Sequence, residues 1–177
     1  MTWTIVVLVV LAVVLWSFYL SWRASRLDRL HNRAEAAHTA LDLALVRRAS
    51  AAAELASSGV LDPATSLLLA DAALRTRQVE SAERDLAESD LTKSLRATLG
   101  EPGFSAELAG DEGAAALVAE VKAAAQQVFI ARKFYNDVAG RTIDARRRPL
   151  ARIARLAGGA KQPEFFDMDD EVLTAGQ

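Results

Sequence analysis

Residues 4–20 read TIVVLVVLAVVLWSFYL, and no charged side chain occurs between Met1 and Trp22. A membrane-spanning helix needs about 20 mainly apolar residues at 1.5 Å rise each. Trp3 and Trp22 bracket the run, and at that rise they stand roughly 28 Å apart, close to the thickness of the hydrocarbon core. Trp16 and Tyr19 add amphipathic rings at the second end, where a bilayer interface holds them. A core helix of this length would carry a polar face. A cleaved secretory peptide would have basic residues ahead of the apolar run and small residues after it. Here only Met1 and Thr2 come first, and the run leaves through Phe18-Tyr19-Leu20-Ser21-Trp22. Retention as an anchor is therefore expected.

Arg23, Arg26, Arg29 and Arg33 follow the span, and no Lys or Arg precedes it. The positive-inside bias places the N-terminus outside and the C-terminus in the cytosol, which predicts a single-pass cell-membrane protein. The expected organisation is a transmembrane anchor over 1–22, a cytosolic helical bundle over 23–161, and an acidic C-terminal tail over 162–177. Absence of cysteine agrees with a reducing compartment and equally with a disulfide-free exported protein.

Net charge is −2, from 21 basic and 23 acidic residues, so no overall attraction to nucleic acid is expected. No long alternating run of β-branched and aromatic residues argues for a sheet beyond the anchor. Abundant Ala, Leu, Arg and Glu favour helix. The fold class is all-α: the N-terminal transmembrane helix, then an antiparallel bundle of three long helices with a short fourth helical segment.

The first soluble helix is expected over 23–56, continuous with the anchor or separate from it. Its stripe is Leu27, Leu30, Ala34, Ala37, Leu41, Leu45, Ala49, Ala52 and Leu55, at steps of three and four. Ser57-Ser58-Gly59 ends it. Asp62-Pro63 opens a second helix expected to reach Leu99, with Leu68, Ala72, Val79, Ala82, Leu86 and Leu95 inward. Gly100-Glu101-Pro102-Gly103 stops it. Phe104 is expected to fold back on the bundle, with a helical turn at 105–109. A third long helix is expected from Asp111 to Arg147, its apolar face including Leu117, Val121, Val128, Phe134 or Tyr135, Val138 and Ile143. Gly140 inside it suggests close approach to a neighbouring helix. Leu150, Ile153, Leu156 and Ala157 give the short fourth segment, and Phe165, Phe166 and Met168 give the tail a means of docking. The apolar pattern is not a clean heptad repeat, so a long coiled coil is not expected.

In the third helix stands Ala131-Arg132-Lys133-Phe134-Tyr135-Asn136-Asp137-Val138, and the terminal region carries Gln162-Pro163-Glu164-Phe165-Phe166. With the uncharged N-terminal span and the helix behind it, the chain resembles the LemA family over nearly its whole length. The resemblance implies one membrane span with the N-terminus outside and a cytosolic antiparallel bundle; it brings no catalytic set. The chain departs from the pattern where Ala49-Ser50-Ala51-Ala52 replaces a leucine-isoleucine-proline-asparagine segment. It departs again where Arg148 replaces an aromatic residue before Pro149, and where Arg141-Thr142-Ile143 replaces an aromatic-asparagine pair.

His31, Glu35 and His38 share a helix face at a spacing that metal-binding helices use, but nothing elsewhere offers a matching donor cluster, so surface histidines are expected. No nucleophile stands beside a base, and the glycines cap helices and do not build a phosphate loop. No cofactor and no catalytic residue is assigned. Tyr135 and Asn136 suit either a bundle seam or a small polar pocket, flanked by helix-supporting pairs such as Asp137–Arg141. Arg141, Arg146, Arg147, Arg148, Arg152, Arg155 and Lys161 are balanced only by Asp144 in that segment. If three helices alternate in direction, this basic segment lies about 50 Å from the headgroups, beyond screened attraction to lipid. It is then expected to meet the acidic tail or an acidic partner. The candidate recognition surface is Arg132, Tyr135, Asn136, Arg146, Arg147, Arg148 and Arg152.

The expected partners are the lipid bilayer, through residues 3–22, and an unidentified protein or a second copy of the chain; nucleic acid is not expected. The function read from these features is a non-enzymatic, membrane-anchored scaffold or adaptor. The alternative is a small-ligand-binding or sensory bundle in envelope signalling.

Overall fold

The computed structural model describes residues 2–79, 81–101, 103–104, 108, 110–147 and 161–169. Among these residues the protein is all-helical: α1 spans Thr2–Ser57, α2 Pro63–Gln78, α3 Ser81–Leu99 and α4 Glu112–Arg147. The expected turn at 105–109 falls mostly outside the described residues, as do the short fourth segment after Pro149 and the tail beyond Asp169.

The N-terminal span and the first soluble helix are one helix with no break at residue 22. Over Thr2–Tyr19 it is long and apolar enough to cross a membrane, and none of that stretch is buried in the protein. Trp16 and Tyr19 rings stand 6.2 Å apart at its second end. This helix supports membrane association of an otherwise helical bundle.

The chain divides into two compact units, one drawn from Met1–Ala37 and Asn136–Phe165, the other from His38–Tyr135 and Phe166–Gln177. In the first unit Ala34 and Ala37 are buried, as are Val138, Ala139 and Ile143. Thr142 is 1% exposed, and its hydroxyl donates to the Val138 carbonyl at 2.8 Å and stands 3.4 Å from the Leu30 carbonyl. Gly140 is expected to mark close approach of a neighbouring helix; among the described residues a Cβ there would instead meet the Phe165 ring at 3.7 Å, an ordinary contact.

The second unit holds the main core. It joins Ala49, Ala52 and Leu55 of α1, Leu69 and Ala73 of α2, Leu91 and Leu95 of α3, Phe104, and Val118, Val121 and Ala124 of α4. Phe104 folds back as expected. Much of this core is alanine, which lets helices approach closely but buries little area per side chain.

The second long helix expected over 62–99 is two helices. Asp62 caps α2 as expected, its Oδ1 accepting from the Ala64 and Thr65 amides at 2.9 and 3.2 Å. The helix stops at Val79, whose backbone is extended (φ −82°, ψ 143°). No glycine or proline marks this break. Thr76 and Val79 are β-branched and give little support to helix, and the Thr76 hydroxyl turns back onto the Ala73 carbonyl at 2.9 Å. The break resets the phase of the apolar stripe. Leu68 and Leu86, expected inward, are 69% exposed; Leu69 and Leu91 are buried in their place.

In the same unit the C-terminal segment docks as an extended strap. Met168 is buried, Arg96 holds Asp169 at 3.0 Å, and the Asp167 and Asp169 amides donate to Asp85 and Ser89 of α3.

Candidate functional site: a buried ion pair beside an arginine-lined groove

In the larger unit, Arg48 of α1 and Glu88 of α3 meet at 2.6 Å, each side chain 2% exposed. Arg48 also donates to the Thr92 hydroxyl at 2.8 Å and to the Glu88 carbonyl at 3.1 Å. Helical spacing places both partners inward. Arg48 lies in phase with Leu41, Leu45 and Ala52, and Glu88 lies in phase with Leu91 and Leu95. Two charges withdrawn from water are tolerated only when paired and hydrogen-bonded. Burial pushes the Glu88 carboxyl above its ordinary pKa; the Arg48 charge and hydrogen bond and the Arg84 charge oppose this, and Asp42 adds to it.

A half-open groove of about 560 Å³ adjoins this pair. It is lined by Leu45, Val46 and Ala49 of α1, Thr76 and Arg77 of α2, Val79 at the break, and Arg84 and Glu88 of α3. The break between α2 and α3 places Arg77 and Arg84 on one concavity. Arg77 donates to the Ser50 hydroxyl at 2.7 Å, and among the described residues it meets no carboxylate. Arg84 pairs with Asp42 at 3.0 Å, and its buried Nε has no acceptor among the described residues.

Comparison with protein-family models, with curated proteins and with solved structures finds no match.

The recognition residues expected from the sequence fall in both units. Tyr135 is 5% exposed, with its ring edge-on to His38 at 5.3 Å. Arg132, in the same unit, is half-buried and reaches toward the Phe166 carbonyl at 3.5 Å. Asn136, Arg146 and Arg147 belong to the other unit, where Arg146 donates to the Lys161 carbonyl at 3.2 Å and Arg147 is exposed. Arg148 and Arg152 lie outside the described residues. The acidic strap meets Arg96 of α3 at 3.0 Å, and at the end of the 141–161 segment Lys161 stands 3.7 Å from Glu164. His31 pairs with Glu35 and His38 with Asp42, each at 3.2 Å. Among the described residues no three His, Asp or Glu side chains converge as metal ligands would.

α4 also reaches the length and apolarity of a membrane span. The cause is an apolar character on two faces. Val118, Val121, Ala124 and Val128 are buried, while Ile130 and Phe134 are both 58% exposed on the other side. Across from them on α1, Leu43 is 67% exposed. The register is fixed by His38 against Tyr135 and by Arg47 against Glu120 and Gln127, which brackets Leu43 and Ile130 along the same edge.

Proposed function

We propose that the protein is a membrane-anchored adaptor of the LemA type, with its bundle on the cytosolic side and its activity lying in recognition and not in catalysis. The apolar edge of Leu43, Ile130 and Phe134 carries this reading. Large side chains this exposed on adjacent helices mark a surface that another molecule covers. Ile130 and Phe134 are four residues apart, so they form one ridge of α4. Arg47, Glu120 and Gln127 supply a polar rim beside it. Its occupant is a second protein or a second copy of the chain. Arg23, Arg26, Arg29 and Arg33, immediately after the span, support the cytosolic placement.

Photo-crosslinking from residue 130 in cells tests the reading. A discrete adduct that disappears with Phe134→Lys is expected. Absence of any adduct at positions 43, 130 and 134, with adducts no different from those at exposed Lys133, would contradict it. A second reading, a small-ligand-binding bundle, is favoured by the groove at the α2–α3 break.

A further inference from the structure

We propose that the groove beside Val79 is a binding site for a small organic monoanion: a carboxylate carried on a compact apolar body. The proposal stands apart from the adaptor surface and does not depend on it.

The size of the groove, about 560 Å³, falls in the range of small-molecule sites. Its wall is divided by chemistry. Leu45, Val46, Ala49 and Val79 offer an apolar surface, and Arg77 and Arg84 supply donors at the other side. Among the described lining residues the charges do not cancel. Glu88 is occupied by Arg48 and Asp42 by Arg84, whereas Arg77 meets only the neutral Ser50 hydroxyl among the described residues. Among the described residues this leaves one guanidinium without a carboxylate, which favours a ligand with one negative charge. The buried Arg84 Nε adds a donor that the fold leaves without an acceptor among the described residues. Burying a donor unmatched is costly, and a carboxylate oxygen would satisfy it. Guanidinium groups also match a carboxylate in geometry through paired N–H donors.

The α2–α3 break shapes this wall. A continuous helix through residue 79 would carry Arg77 and Arg84 nearly two turns apart along one rod. The break instead bends the chain so that both line one concavity with the floor of α1. A cationic ligand is disfavoured by the two arginines, and a large anion by the volume.

The test uses the full chain in lipid nanodiscs and 4-fluorobenzoate as probe, read by fluorine NMR line width against empty nanodiscs. Broadening by the protein is expected, with little from 4-fluorobenzyl alcohol or 4-fluorobenzylamine. Arg77→Gln should weaken binding at least fivefold while Arg77→Lys retains part of it. Val46→Trp, which fills the groove from an exposed position without altering charge, should abolish it. Broadening no greater than with empty discs, equal binding of the alcohol, or unchanged binding in both Arg77→Gln and Val46→Trp would overturn the proposal.

Discussion

Arg48 and Glu88 face each other at 2.6 Å across α1 and α3 with almost no exposure to water. The pair is costly to separate and less valuable as a source of net stability. Glu88→Ala strands a buried guanidinium and should destabilise the bundle by about 3–5 kcal/mol. The double change Arg48→Met with Glu88→Leu should be neutral or stabilising by up to about 4 kcal/mol. Guanidinium denaturation followed by circular dichroism checks both. A double variant as unstable as Glu88→Ala would show that the pair itself carries the fold.

Acid should act on Glu88 opposite to a surface carboxylate. Burial raises its pKa above the ordinary 4.5, against the pull of Arg48 and Arg84 and with a smaller push from Asp42. The folded state therefore holds this proton more tightly than the unfolded chain does. Its stabilising contribution is complete below the unfolded value and fades as pH rises through the folded one. The stability gap between the wild type and Glu88→Gln should widen from pH 7 to pH 4.5. A gap that narrows on acidification would mean that the ionised pair is the favoured form.

At the start of α2, Asp62 holds two backbone amides. Asp62→Ala should lower stability, while Asp62→Asn or Asp62→Ser should lower it less. Hydrogen bonds from Thr65, and then from the Ala64 amide, keep the Asp62 carboxyl below its ordinary range. Its share of stability is therefore present above the ordinary aspartate pKa and is lost as pH falls through the lowered value. A denaturation series across those substitutions at neutral pH ranks the caps.

The strap over α3 is held chiefly by Met168. Arg96 and Asp169 are each about one-third exposed, so Arg96→Gln should cost no more than about 1 kcal/mol. Met168→Ala removes a buried side chain and should cost about 2–5 kcal/mol if the site cannot collapse. Hydrogen exchange at the Asp167 and Asp169 amides should quicken more in Met168→Ala than in Arg96→Gln.

The all-helical architecture was legible because its signals are long. The uncharged span, the Asp62-Pro63 start and the stripe from Ala34 to Leu55 each hold over several turns. The α2–α3 break was not legible, since no glycine or proline announces it and the β-branched Thr76 and Val79 are a weak signal. That miss explains the exposed Leu86, because a stripe extrapolated through a break runs out of phase; Leu68, upstream of the break, is exposed because the buried face of α2 runs through Leu69, Ala72, Ala73 and Thr76. The groove was hidden for a second reason. Arg48 interrupts the α1 stripe, and a second-helix stripe phased on Leu86 turns Glu88 outward, whereas in the structure Glu88 is buried in phase with Leu91 and Leu95 and meets Arg48. Both could have been found by asking which charges fall on apolar phase and have opposite sign. Phe134 against Tyr135 was left open by periodicity alone, and the His38 ring decides it by holding Tyr135 inside.

We propose that the N-terminal span stays uncleaved and holds the bundle at the cytosolic face of a membrane. The chain has no cysteine, so a single Ala123→Cys on the exposed side of α4 gives a clean reporter. A membrane-impermeant maleimide applied to intact cells should leave it unlabelled and should label it after lysis, with the protein retained in alkaline-washed membranes. Labelling in intact cells, or recovery of the protein in the soluble fraction, would contradict the account.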